Sequence, residues 1–303
     1  MKLRITLFTL LFVLFSAPAF AQKGFKKIMV DQEWMQKHKD DKNLVILHVG
    51  DSASYANGHI EGAQLMGRAD FTVVVGNLYW ELPEVADFTV TLRNFGVNNK
   101  SRIVIVHGNN DHAAGFRLYF TLDYFGLGNQ TRILDGGMKG WHANALATST
   151  ETFKAVPTAP GDLVLKPNTQ IKVDKDYVNA NSLKEDINVI DARRAKFYEG
   201  AEDTRDSYKR SGHIPGAENI CWLDIVDENL FMKDLDTLKA YYEEAGAKKK
   251  EEVVAYCHVG LRASVIYTVA KGLGYKVRLY DGSFNEWDTL SEDYPTKRGK
   301  DSK

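Results

Sequence analysis

Apolar and polar residues alternate in blocks along the chain, and the blocks have two different periods. Runs such as "NLVILHV" (43–49), "RIVIVH" (102–107), "NVIDA" (188–192) and "EVVAY" (252–256) are short and nearly continuous in aliphatic and β-branched residues. Runs of that kind mark strands buried on both faces. Stretches compatible with helix, "TVTLRNFG" and "LDTLKAYYEEAG", precede the second and fourth runs. Strands alternating with helices predict an α/β fold, a mainly parallel sheet with helices on both faces.

The pattern occurs twice. "GHIEGA" at 58–63 returns as "GHIPGA" at 212–217, and "FGLGNQTRILDGGMKGW" at 125–141 returns without a gap as "KGLGYKVRLYDGSFNEW" at 271–287. Each copy sets a helical stretch and then a strand between these landmarks, so two domains of one plan are expected, at 22–147 and 169–303. Residues 148–168, rich in Thr, Ala and Pro and without helical period, read as a linker.

The first 21 residues stand apart from this plan. Lys2 and Arg4 precede an apolar run from Ile5 to Phe15, and Ala19-Phe20-Ala21 follows, the pattern of a secretory signal cleaved before Gln22. An uncleaved anchor is the alternative, but the run is shorter than the roughly 18 to 20 residues a span needs. A periplasmic or secreted protein, free of the membrane after cleavage, is the expectation. The 303 residues carry 39 basic and 40 acidic side chains, spread along the chain, which excludes the basic stripe of a nucleic-acid binder.

The candidate chemistry centres on one of two cysteines. Cys257 ends the run "VVAY", where ligands of open parallel sheets bind, and "HVGLR" leads from it into the helical pattern "ASVIYTVAKGLG", with Gly272 as the expected stop. A thiol below a helix N-terminus faces unpaired N–H groups and the positive end of the helix dipole, which favour the thiolate. Gly260 lets the chain turn around the sulfur, and Arg262 adds a positive charge at the rim. The alternative is a buried structural thiol. That alternative is the expectation for Cys221, placed in an apolar strand after "GHIPGA".

Together these motifs resemble the tandem-domain rhodanese sulfurtransferases, over essentially the whole mature chain. "GHIEGA" and "GHIPGA" look like the family's first signature, "DGGMKGW" and "DGSFNEW" like its second, and "CHVGLR" takes the place of its active-site loop. The resemblance implies two rhodanese-like domains and a Cys257 that accepts sulfane sulfur as a persulfide and passes it on. The donor would be thiosulfate or 3-mercaptopyruvate, and the acceptor cyanide, a small thiol or a thiol-bearing protein. No metal or organic cofactor is implied. Arg193 and Arg205, in segments similar to those that supply substrate-binding arginines in the family, join Arg262 as candidate anion ligands.

Loop length bears on the nearest chemical rival. Only His258, Val259, Gly260 and Leu261 separate Cys257 from Arg262, whereas cysteine-dependent phosphatases and arsenate reductases use five residues to enclose a tetrahedral oxyanion. His258 reads as exposed loop that could add positive potential when protonated. The first copy has no cysteine after "RIVIVH", so it is expected to be catalytically silent. Its His107, Asp111 and His112 lack a convincing pattern for a metal site. Trp141 and Trp287 are expected in the core. A non-catalytic sulfur-carrier or partner-binding module of the same fold is the second reading.

Overall fold

The computed structural model describes residues 25–201, 208–248 and 251–300, so the segment read as a secretory signal and the candidate ligand Arg205 lie outside the described residues. The first domain runs α1 (Phe25–Ile28), β1 (Met29–Val30), α2 (Gln32–His38), β2 (Leu44–Val49), α3 (Ser52–Asn57), β3 (Gln64–Met66), β4 (Val73–Val75), β5 (Leu78–Glu81), α4 (Val85–Asn94), β6 (Arg102–His107), α5 (His112–Tyr124), β7 (Thr131–Leu134) and α6 (Gly137–Ala143). The second runs β8 (Lys172–Val173), α7 (Lys175–Asn181), β9 (Ile187–Asp191), α8 (Ala195–Tyr198), β10 (Ala217–Asn219), α9 (Leu235–Glu244), β11 (Glu252–Tyr256), α10 (Ala263–Leu273), β12 (Lys276–Tyr280) and α11 (Ser283–Trp287).

Both main sheets are parallel throughout and share one strand order. The first is β1-β7-β6-β2-β3, and the second, read in the same direction, is β8-β12-β11-β9-β10. The continuous apolar runs of the sequence occupy the central strands, where each face meets helices and no polar alternation is tolerated. The first domain also has the antiparallel hairpin β4–β5.

The repeated signatures build the same corner in both copies. His59 stacks on Tyr55 and His213 on Tyr198, with ring centroids 3.7 and 3.9 Å apart. Each histidine Nδ1 lies 2.8 Å from its tyrosine's carbonyl oxygen, and each tyrosine hydroxyl donates to the signature alanine, Ala63 or Ala217. Trp141 and Trp287 are buried as expected, their indole N–H groups donating to the carbonyls of Ala147 and Pro295. The signature residues are scaffold.

The two domains share a core. Helices α5 and α10 pack together, and the apolar cluster that includes Phe116 and Phe120 continues through Val265, Ile266 and Tyr267. The Tyr267 hydroxyl donates to Asp123 (2.6 Å), and Lys271 pairs with the same carboxylate. The expected linker is strapped to the first domain: Leu163 and Leu165 are buried, and the Thr158 carbonyl accepts from the Arg93 guanidinium.

Two local expectations are corrected. Gly272 does not stop α10; it is buried within the helix against the Phe25 ring, and the left-handed C-cap is Gly274, at φ 93°. Cys221 is not in a strand, since β10 ends at Asn219 and the thiol sits in the following turn.

Candidate active site

Cys257 lies one residue beyond the end of β11 and is 1% exposed. Its loop is stitched to the start of α11. The Cys257 carbonyl accepts from Phe284 N–H (3.0 Å), and the His258 carbonyl accepts from Asn285 N–H (2.8 Å). Ser283 closes the loop from below: its hydroxyl accepts from the N–H groups of Cys257 (3.2 Å) and Gly260 (3.0 Å) and donates to the Tyr280 carbonyl (2.8 Å). To reach that place Ser283 adopts φ 52°, unusual for a residue with a side chain. Gly260 turns the chain at φ 76°, as the sequence required.

The remaining loop residues frame the thiol. Arg262 is partly buried at the N-cap of α10, 5.8 Å from the Trp222 ring. Its Nη1 lies 3.2 Å from His258 Nδ1, and because a guanidinium only donates, Nδ1 accepts. His258, expected to be exposed, is 4% exposed, with Phe197 edge-on at 5.2 Å and Tyr208 stacked at 6.0 Å. Two aromatic rings make burial of the imidazole favourable in a way the loop sequence does not show. Val259 and Leu261 are partly buried on the same loop.

Arg193 is the second correction at the site. Its Nε and Nη2 donate to Asp191 at 2.6 to 3.0 Å, and Nη2 also donates to the Gly212 carbonyl (2.7 Å). The guanidinium is 2% exposed and 4.2 Å from the Phe284 ring. Burial opposes its charge, but the attraction of Asp191, with smaller help from Tyr256 and Cys257, more than compensates, so the group stays ionised. A guanidinium committed in this way is a fixed charge beneath the loop, not a free clasp for a donor anion.

Strand register identifies the counterpart of this site in the first domain. Aligning Leu65 with Asn219 through the two signatures pairs His48 with Asp191, and stepping across β6 and β11 pairs His107 with Cys257. The gapless second repeat pairs Gly137 with Ser283 and Asp135 with Asp281. His107 is 1% exposed, and burial pushes its pKa down to about 4. A side chain at Gly137 would strike its ring at 2.4 Å, so the histidine fills the space that Ser283 takes in the second copy. His48 is also driven to about 4 by burial, with His59 and His107 adding to the effect, and His112 lies 4.9 Å from the His107 ring. Among the described residues no three His, Cys, Asp or Glu side chains are placed to hold a metal ion.

Cys221 is buried in its turn, which together with Asp224 pushes the thiol pKa up, consistent with an inert group. Ser283 is the site residue that sequence reasoning missed. Its signal was available: in the otherwise parallel second repeat, "DGG" becomes "DGS".

Comparison with known proteins agrees with this architecture. The Rhodanese-like domain family matches residues 31–144 and 174–290. A Mycobacterium leprae relative with a thiosulfate sulfurtransferase name is 30% identical over 273 residues, 87% of this chain and 95% of that protein. The "Sulfur carrier protein TtuD" of Thermus thermophilus is 30% identical over 284 residues, 87% of this chain and 94% of that one. The 3-mercaptopyruvate sulfurtransferase of Escherichia coli K12 is 28% identical over 274 residues, covering 87% and 95%. With two matched domains and relatives named for sulfur transfer, this chain belongs to the rhodanese-like family.

Proposed function

We propose that the protein is an exported sulfurtransferase that carries sulfane sulfur on Cys257. The observation that supports this most is the loop itself, in which Cys257 at the end of β11 leads through a tight turn to Arg262 at the N-cap of α10, with the Ser283 hydroxyl holding the loop closed from below. With thiosulfate, the Cys257 thiolate attacks the outer sulfur and a new S–S bond forms. The old S–S bond breaks, and sulfite leaves with the electron pair. An acceptor nucleophile such as cyanide then attacks the terminal sulfur of the persulfide, and Cys257 leaves as thiolate. Electrons balance without an external oxidant or reductant. 3-Mercaptopyruvate would give the same persulfide by breaking a C–S bond, its carbon taking up a proton to leave pyruvate.

Arg262 is the cation suited to hold the oxygens of either donor, since both a sulfonate-like group and a carboxylate match the guanidinium fork. A small acceptor fits a thiol that is 1% exposed; the sulfur-carrier name of one relative keeps a protein thiol as a further acceptor. Incubation with thiosulfate and, separately, 3-mercaptopyruvate should add about 32 Da to the peptide bearing Cys257, removable by cyanide. Cys257→Ser should abolish turnover, and Cys221→Ser should retain it. Sulfur on Cys221, or full activity in Cys257→Ser, would overturn the assignment.

A further inference from the structure

The floor of the cysteine loop is built by both domains. Arg117 lies on α5 of the silent domain and is 0% exposed. It grips Asp281 of the second domain with two parallel bonds, Nη1 to Oδ1 at 2.5 Å and Nη2 to Oδ2 at 3.2 Å. Asp281 is two residues before Ser283. The pair also sits directly under Gly260: a Cβ there would meet Asp281 Oδ1 at 2.8 Å, the Asp281 carbonyl at 2.9 Å and Arg117 Nη1 at 3.0 Å. Lys172 lies 3.4 Å from the second Asp281 oxygen and 3.3 Å from Glu81, which the β4–β5 hairpin delivers.

A buried ion pair is a weak source of stability, because desolvation offsets the attraction. Its bidentate geometry is directional, however, and fixes where Asp281, and with it the turn to Ser283, lies relative to the loop. Taking the sulfur-transfer reading of Cys257 as its basis, we propose that Arg117 is a positioning residue for that reaction. Held under Gly260 and on Asp281, it sets the shape of the 257–262 loop from the opposite domain. The silent domain thereby supplies a working part of the site as well as packing.

The test compares Arg117→Met, Arg117→Lys and Gly260→Ala in the full-length protein. Arg117→Met should lower kcat for thiosulfate by about 10- to 100-fold, the cost of a displacement near 1 Å, with KM within about twofold. Arg117→Lys should recover part of the rate. Gly260→Ala, which crowds the same contact from above, should reproduce the loss. Hydrogen exchange of the peptide covering 257–262 and alkylation of Cys257 by iodoacetamide should both change in Arg117→Met and Gly260→Ala. A folded Arg117→Met with wild-type kcat, loop exchange and alkylation would overturn the proposal. If that variant does not fold, wild-type values in both Arg117→Lys and Gly260→Ala would do so. Should the wild-type protein itself transfer no sulfur, the reading of Cys257 fails, while exchange and alkylation still decide the positioning role.

Discussion

The two domains have one backbone plan and opposite contents at the end of the central strand. In the second, Asp191, Arg193, Cys257 and Ser283 place an ion pair, a thiol and a hydroxyl around the strand end. In the first, the matching positions hold His48, Gly50, His107 and Gly137, two buried imidazoles and two residues without side chains. The difference between the two copies therefore goes beyond the thiol. The first copy has no cation at the position of Arg193, and a glycine in place of the hydroxyl leaves room for an imidazole. The space still has to be filled, because interiors are close-packed. Neutral imidazole does so at lower desolvation cost than an unpaired ion.

The largest expected effect comes from breaking the charge pair that only the second domain keeps. Arg193→Met strands Asp191 as a buried, unpaired carboxylate, which typically costs about 3 to 5 kcal/mol. It should also slow sulfur uptake, because a positive charge is lost from beneath Cys257. The pair of changes Asp191→His and Arg193→Gly copies the first domain. It should restore much of the stability lost in the single variant, without restoring the rate. Denaturant unfolding of wild type, Asp191→His, Arg193→Gly and the double reads the coupling. A loss below about 1 kcal/mol in Arg193→Met would show that the pair is not desolvated as described.

A smaller effect separates stability from activity. Ser283→Gly converts the second domain's residue to that of the first. The hydroxyl's bonds are lost, at about 0.5 to 1.5 kcal/mol each. Relief of the positive φ by glycine returns up to about 1 kcal/mol. Three such bonds outweigh that return, so thermal stability should fall moderately, while turnover falls by about 10- to 100-fold as the N–H groups of Cys257 and Gly260 lose their common acceptor. Unchanged turnover with a large drop in Tm would reverse the roles assigned to this hydroxyl.

What the sequence made legible was local. The strands 102–107 and 252–256 could be read from unbroken apolar runs, the repeat from its landmarks, and the position of Cys257 from the strand, glycine and helix around it. What it concealed depends on distant partners. Arg117 looks like any helix residue until the fold brings Asp281, 164 positions away, against it. Arg193 looked free because its partner Asp191, only two residues before it, gave no sign that both side chains turn inward. His258 looked exposed because Phe197 and Tyr208 arrive from another segment. Burial of a charge is a tertiary fact, and a loop sequence does not contain it.

The smallest expected effect contrasts two equivalent carboxylates. Asp281 has Arg117 and Lys172 beside it, whereas Asp135, at the same position of the first repeat, accepts the Met232 N–H (2.9 Å) in a buried setting. Burial pushes Asp135 up to about 7, against an ordinary value of 3.8, with Met232 and Gly136 partly opposing. The sign follows from proton linkage: with the folded value raised, its contribution is fully present below 3.8 and is lost as pH rises through about 7. A shift of about three units amounts to roughly 4 kcal/mol at most, nearly all of it lost by about pH 7. Asp135→Asn keeps an oxygen for the Met232 N–H and cannot ionise. It should therefore already unfold above the wild-type temperature at pH 5.5, where about half of that contribution is gone, and by a wider margin at pH 9. Glu81, also raised to about 7 by burial and by Asp281, titrates in the same window, so the variant flattens the alkaline limb only in part. His48 and His107 act on the other side, with stability present above 6.5 and lost as pH falls toward 4, so the acid limb should remain. Parallel melting curves for wild type and Asp135→Asn from pH 5.5 to 9 would show instead that Asp135 is ionised in the fold.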